Sequence, residues 1–380
     1  MIYLDYNATT PIAPEVVRAM LPYLTGEFGN PSSSYPLGRR AREAVEAARR
    51  EVAALLGAQP QEILFTSGAT EANNAVLKGA AAHFGRGQII TTPVEHPSVL
   101  APCRFLKSQG VEITLLPVDS RGLVDPEVLR RALTPRTILI SVMHANNETG
   151  AIQPLKEIAA RAREAGVWLH TDAAQSVGKA PVNVDELQVD FLTVAGHKFY
   201  APKGVGALYI REGRKLAPLL HGAGQEHGRR AGTENVLLLA GLGAAAGLAR
   251  EGLTADGVYL KTLRDRLHER LLEGFPQLVL NGPEQERLPN TLNVSFPGLQ
   301  GSAILAGLPE LAASLGSACH EGEETHSPVL VAMGVPPAVA RGAVRLSVGR
   351  PTTGEEVERA AEMILARVKE LGGGTGGDAS

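Results

Sequence analysis

The chain has 380 residues, enough for two domains or for one large α/β domain with a smaller companion. Hydrophobic residues make up 44% and charged residues 20%, which supplies a sizeable core and excludes global disorder. A formal charge of -3 leaves no basic surplus for nucleic acid or an anionic membrane, and 4% aromatics are too few for a base-stacking platform.

Pro14 opens a short helix over residues 14–24, proline being favoured in a first helical turn. Residues 37–56, rich in Ala, Arg and Glu, predict an amphipathic helix closed by Gly57. A strand at 62–66 runs into Ser67-Gly68-Ala69-Thr70-Glu71 and then a helical stretch, 72–83. Strands are expected at 88–92, 112–117 and 137–144, a helix at 155–165, and strands at 167–171, 190–194 and 206–210. Most of these strands are continuous apolar runs, so both faces should be covered, as in a mostly parallel sheet between helices. The most apolar long window, 236–249, is about 14 residues and broken by glycines, short of the roughly 20 that a membrane helix needs. Beyond residue 254 a charged helix, 259–273, precedes strands at 278–281 and 290–295 and a further α/β stretch. A domain boundary is therefore expected near 250, and the Gly-rich tail 372–380 is expected to be disordered.

Cys103 and Cys319 are too far apart to form a disulfide framework or a four-cysteine metal site, and no His/Cys spacing suits a metal. A reducing compartment fits, and the N-terminus lacks the basic, apolar pattern of a signal peptide, so the expectation is a cytoplasmic protein.

Three local features carry chemistry. Lys198 follows the apolar strand 190–194 in Gly196-His197-Lys198; a lysine there is paired, desolvated or covalently used, unless it is an ordinary surface group. Asp172 ends the strand 167–171, where it either points into the crevice at the carboxyl end of the sheet or caps the next helix. The turn Ser67 to Glu71 joins a strand to a helix start, which is an anion site or simply a small-residue turn. Together they suit pyridoxal 5'-phosphate, which takes a lysine, a carboxylate on its ring nitrogen and a phosphate cradle. No dinucleotide or Walker-type glycine motif competes.

These pieces, with Asn146-Asn147-Glu148-Thr149-Gly150, His170-Thr171-Asp172-Ala173-Ala174-Gln175 and Gly316-Ser317-Ala318-Cys319, stand in order along nearly the whole chain. The chain thereby resembles the cysteine desulfurase and selenocysteine lyase family, the NifS/IscS-type group of class V aminotransferase-like, fold-type I PLP enzymes. The resemblance implies an α/β fold with a large PLP-binding domain, 13–250, around a mostly parallel sheet. A small domain of 1–12 and 251–371 would carry the catalytic cysteine loop. Lys198 would bond the cofactor and shuttle protons, Asp172 would pair with the ring nitrogen, and Gln175 would bond the phenolic oxygen. His96 would stack on the ring and serve as an acid or base. Ala69, Thr70 and His197 would hold the phosphate, and Thr233 would reach the phosphate of a neighbouring subunit, implying a homodimer. Asn147 and Arg345 would hold the substrate carboxylate. Cys319 would be the nucleophile that takes sulfur from L-cysteine, leaving alanine and a persulfide for an acceptor such as an iron–sulfur scaffold. Cys103, in apolar helical surroundings, reads as inert packing.

One departure stands out: Ala195 occupies the position, two before His197, where many such enzymes have a phosphate-binding serine. The segment from Cys319 to Leu330 is closer to the selenocysteine lyases, so L-selenocysteine is an alternative substrate. A non-catalytic interaction protein on the same fold is the alternative from another class. It has no reason to keep Lys198.

Overall fold

The computed structural model describes residues 1–315 and 327–373. Of the expected disordered tail, residues 374–380 lie outside this range, while Gly372 and Gly373 still belong to the terminal helix Gly354–Gly373.

The strands are β1 (Ile2–Tyr3), β2 (Ile63–Thr66), β3 (Gln88–Thr91), β4 (Glu112–Leu115), β5 (Thr137–Ser141), β6 (Trp168–Asp172), β7 (Phe191–Ala195), β8 (Gly206–Ile210), β9 (Val279–Leu280), β10 (Thr291–Ser295), β11 (Leu311–Ala312) and β12 (Ala343–Ser347). Seven form the main sheet, in the order β2-β8-β7-β6-β5-β3-β4. Neighbours from β4 through β7 run parallel, and β8 is antiparallel to both β7 and β2. The mostly parallel sheet read from the apolar runs is therefore present. Strand β4, at one sheet edge, is the exception to two-sided burial, whereas β2, at the other edge, is buried along its length.

Helices α1 (Pro14–Thr25) and α2 (Pro36–Leu56) cover one face together with the first half of a long helix, Val236–Gly274. Helices α3 (Ala69–Phe84) and α4 (Pro97–Ser108) cover the other. Helix α2 presents Ala41, Val45, Ala48 and Val52 inward at three- and four-residue spacing, and it ends at Gly57 in a left-handed conformation (φ 67).

The chain is helical without a break from Val236 to Gly274, so residue 250 falls inside a helix and not in a linker. The glycines that interrupt the apolar window permit close packing instead. A Cβ on Gly243 would sit 2.6 Å from Ala48 Cα, so glycine lets this helix lie directly on α2. By length and composition the helix could cross a membrane. Its residues Leu239, Leu242, Ala245, Ala246 and Ala249 are instead buried in the core of this fold.

A separate apolar core gathers Ile2 and Leu4 with Leu263, Leu267, Leu292, Val294, Leu346 and Ile364. We propose that residues 13–250 form the large unit and that 1–12 with 251–371 form the small one; two distinct cores support that division. The N-terminal segment is stitched to the small unit by β1 pairing with β11 and by Asp5 bridging to Ser347.

Candidate active site

The carboxyl ends of β6 and β7, the start of α3 and the N-terminal segment surround one cleft of about 830 Å³. Ser314 and Arg345 close it from the small unit. Strand β7 runs straight into a single turn, Gly196–Lys198, which projects Lys198 into this cleft. Lys198 Nζ donates to the carbonyls of Asn7 (2.6 Å) and Ala8 (2.7 Å). Burial and the nearby Arg345 push its pKa down to about 8, against the pull of Asp172 and Asp5. A half-buried lysine that no carboxylate among the described residues touches is poised to lose its proton, as an amine nucleophile requires.

Asp172 closes β6 and is buried. One carboxylate oxygen accepts from Ala174 N at 2.9 Å and the other from Asn73 Nδ2 at 2.7 Å. Asp172 therefore lines the cleft, but it does not cap a helix: residues 174–179 form turns, the next helix starts at Val184, and Asp172 bonds the intervening turn.

Helix α3 starts at Ala69, three residues before the expected helical stretch, so Ser67 to Glu71 is itself the helix N-terminus. Its N-cap is Gly68, at φ 146, and the first-turn N–H groups lack intrahelical partners. A Cβ on Gly206 of β8 would come within 2.8 Å of Gly68 Cα, so two glycines let this turn sit against the sheet. The turn is braced behind by Glu71, which accepts from Ser67 N and pairs with Arg230.

His96 is the N-cap of α4, with its ring open to the cleft. Gln175 is buried, and its Nε2 donates to the Asn7 carbonyl at 2.9 Å. His197 bonds Thr9 through Nδ1, and burial with the surrounding lysines pushes its pKa down to about 4. Asn147 lines the cleft. Arg345 is buried, and its fork is already engaged by Asp5 (2.7 Å) and the Asn147 carbonyl (3.0 Å).

Thr233 is the one described candidate that does not line this cleft. It is exposed and faces a neighbouring hollow shared with Ser67, Gly204, Glu226 and Arg230. Cys319, with His320 and His326, lies outside the described residues. Cys103 lies on the buried face of α4, and burial together with Glu95 pushes its thiol up to about 12, which fits inert packing.

Three buried polar residues escaped the sequence reading. Asn7 bonds Thr291, Asn290, Asn147 and Ser347 while its carbonyl takes Lys198 and Gln175, so it ties both units to the site. Lys179 is buried and, among the described residues, bonds only amide oxygens, Gln175 at 2.9 Å and Asn7 at 3.3 Å, and its pKa falls well below the ordinary value. Glu95, beside His96, accepts from Thr92 and Met143, and burial pushes its carboxyl up to about 8. Only Lys179 carried a signal, a lysine four residues after Gln175 on the same turn.

Glu95 makes stability depend on pH. The folded state keeps a proton between the ordinary value of 4.5 and about 8 that the unfolded chain releases. Its contribution is complete below that window and is lost as pH rises through it. Glu95→Gln does not titrate, so the wild type should lose stability relative to this variant between about pH 5 and pH 9. The expected change is on the order of a few kcal/mol, read from urea midpoints of the apoprotein. A constant difference would mean that Glu95 is charged in the fold.

Could this cleft hold pyridoxal 5'-phosphate? The donor set fits. An unpartnered helix start lies near a lysine of lowered pKa, a fixed carboxylate and an exposed imidazole face. Ala195 lines the same wall without a hydroxyl, as the departure noted above implies.

Comparison with known proteins gives a consistent picture. Residues 2–360 match the class V aminotransferase family model. The chain is 48% identical to "Cysteine desulfurase IscS" of Dictyoglomus turgidum, covering 97% of this chain and 95% of the relative. It is also 48% identical to the protein of that name from Methanosarcina thermophila, covering 97% and 92%. A solved structure titled "NIFS-LIKE PROTEIN" superposes with a TM-score of 0.92 at 38% identity, covering 97% of this chain and all of the other.

Proposed function

The chain belongs to the class V aminotransferase family, and we propose from its cleft that it is a pyridoxal 5'-phosphate-dependent cysteine desulfurase. The observation that carries the reading is the convergence of Lys198, Asp172, His96 and the start of α3 on one cleft. The bound cofactor supplies an electron sink for bond cleavage next to the substrate amine.

The chain's own residues do the rest. Ala69, Thr70 and His197 would hold the phosphate, Asp172 would pair with the ring nitrogen, Gln175 would offer its Nε2–H to the phenolic oxygen, and His96 would cover the ring face. Lys198 would hold the cofactor and, with its lowered pKa, would carry the proton from the substrate α-carbon. Arg345 and Asn147 receive the substrate carboxylate, which must share or displace Asp5. The Cys319 thiolate attacks the substrate sulfur. A sulfur–sulfur bond forms, the carbon–sulfur bond breaks, and its electron pair stays with the three-carbon product, which leaves as alanine after protonation.

The persulfide passes to an acceptor protein, and an iron–sulfur scaffold is the acceptor we favour. A reducing cytoplasm suits a persulfide-forming Cys319. The working form is a homodimer in which Thr233 serves the partner's phosphate. Its exposed place outside its own cleft supports that reading.

The test is alanine release from L-cysteine and L-selenocysteine, side by side, for wild type and Cys319→Ala. Turnover of cysteine that vanishes in the variant is the expected result. Turnover confined to selenocysteine would move the assignment to a selenocysteine lyase. Cofactor-loaded protein that yields no alanine from either would overturn the reading.

Ala195 gives a second expectation. Ala195→Ser would add a hydroxyl beside the phosphate, and one hydrogen bond to a charged group is worth about 1.5 kcal/mol or more. Cofactor dissociation measured by fluorescence should therefore tighten by roughly tenfold. Unchanged affinity would place that hydroxyl out of reach.

A further inference from the structure

His96 caps α4 in an unusual way. N-caps are ordinarily Ser, Thr, Asp or Asn; here the imidazole Nδ1 accepts the Ser98 backbone N–H at 3.1 Å. The Ser98 hydroxyl lies 2.8 Å from the same nitrogen. Behind it stands Asn73, completely buried, whose Nδ2 is 2.8 Å from Ser98 Oγ and 2.7 Å from Asp172 Oδ2.

The proton positions follow from donor and acceptor roles. A carboxylate oxygen accepts, so the amide of Asn73 turns its NH2 toward Asp172. The second proton of that NH2 points at Ser98 Oγ, which therefore accepts from Asn73. The Ser98 hydroxyl proton is then free for its other neighbour, His96 Nδ1. Two donors, one hydroxyl and one backbone N–H, converge on Nδ1, which must keep its lone pair. A proton on Nδ1 would face the Ser98 N–H and leave a helix-start donor orphaned.

We propose that Asn73 and Ser98 are positioning residues that hold His96 as the neutral imidazole with its proton on Nε2. The relay runs Asp172, Asn73, Ser98, His96, so the carboxylate that meets the cofactor ring also sets the state of the histidine above it. His96 then meets the substrate as a hydrogen-bond donor and cannot take a proton at Nε2 in the resting enzyme. Proton removal is left to Lys198. The charged groups near His96 are Asp172 and Lys198, with opposed effects. Desolvation by the cleft walls around the ring is the larger influence and lowers the imidazole pKa, which agrees with a neutral ring.

This deepens the desulfurase reading of the same site, yet its test does not depend on turnover. In the holoenzyme labelled with [15N]histidine, with His96→Gln to assign the signals, long-range 1H–15N spectra report which nitrogen carries the proton. The expected result at pH 7 is a bare Nδ1 and a protonated Nε2. Ser98→Ala removes one of the two donors. Its Nδ1 signal should shift toward the tautomer average, kcat should fall roughly fivefold for one neutral hydrogen bond, and KM should hold. Ser98→Thr should restore both. An Nδ1–H tautomer or an imidazolium in the wild type overturns the proposal. So does a Ser98→Ala spectrum identical to the wild type. Failure of the desulfurase reading would show separately, as absent alanine release with the tautomer unchanged.

Discussion

Lys198→Ala is expected to abolish turnover and, with it, covalent attachment of the cofactor. Borohydride should fix pyridoxal 5'-phosphate to the wild-type chain and not to the variant, as read by mass. The loss in alanine release should be roughly 10³-fold or more, because anchor and proton carrier go together. Asp172 and the start of α3 remain, so the variant should still bind the cofactor reversibly. The lowered lysine pKa adds a second readout. An amine must be neutral to form the bond, and that of Lys198 titrates near 8. Covalent capture of the cofactor by wild-type apoenzyme should therefore accelerate as pH rises from about 7 to about 9 and level off beyond. Turnover retained in Lys198→Ala would remove the lysine from the mechanism.

The second large effect lies away from the cleft. Arg49 and Glu226 form a buried pair, with Nη2 to Oε1 at 2.7 Å and Nη1 to Oε2 at 2.9 Å. Glu226 also accepts from Phe65 N, and Arg49 donates to the Ile63 carbonyl, so the pair ties the segment around Glu226 to the start of the sheet. Arg49→Ala would leave Glu226 buried with one backbone donor. Breaking one side of such a pair costs about 3–5 kcal/mol, whereas replacing both sides by apolar groups costs far less. Urea midpoints should thus fall sharply for Arg49→Ala and recover in Arg49→Met with Glu226→Met. A loss under about 1 kcal/mol for the single variant would mean that water reaches the pair. Glu226 sits at φ 48 within a left-handed turn, so losing its anchor should also loosen the chain toward Thr233.

What could be read in the sequence, and what could not, divides along physical lines. The sheet was legible because parallel strands buried on both faces are written as local apolar runs. Lys198 and Asp172 were legible because each follows such a run directly. The long helix was not, because glycines weaken helix propensity locally while the reason for keeping them, contact with Ala48 on α2, is distant in sequence. Asn7, Glu95 and the Asn73–Ser98 pair were invisible for the same reason. A buried asparagine acquires meaning only from partners that folding brings to it, and those of Asn7 lie up to 340 residues away. Arg345 drew its carboxylate role only from the family resemblance, since alone it reads as an ordinary surface or paired arginine, and its engagement by Asp5 emerges only on folding.

The distance between Asn7 and its partners has a consequence for how the protein is made. Residues 2–7 leave the ribosome long before β11 and β12, which hold them. At roughly 5–20 residues per second, the wait is on the order of 17 to 70 s. Through that interval Asn7 lacks Thr291, Asn290 and Ser347, and only its bonds to the large unit, from Gln175, Lys179 and Lys198, can hold it over the lysine. The finished lysine environment, which includes Arg345 of β12, is therefore a late event, and a chain stalled before β12 is expected to hold a nearly complete sheet with a less firmly covered lysine of more ordinary pKa.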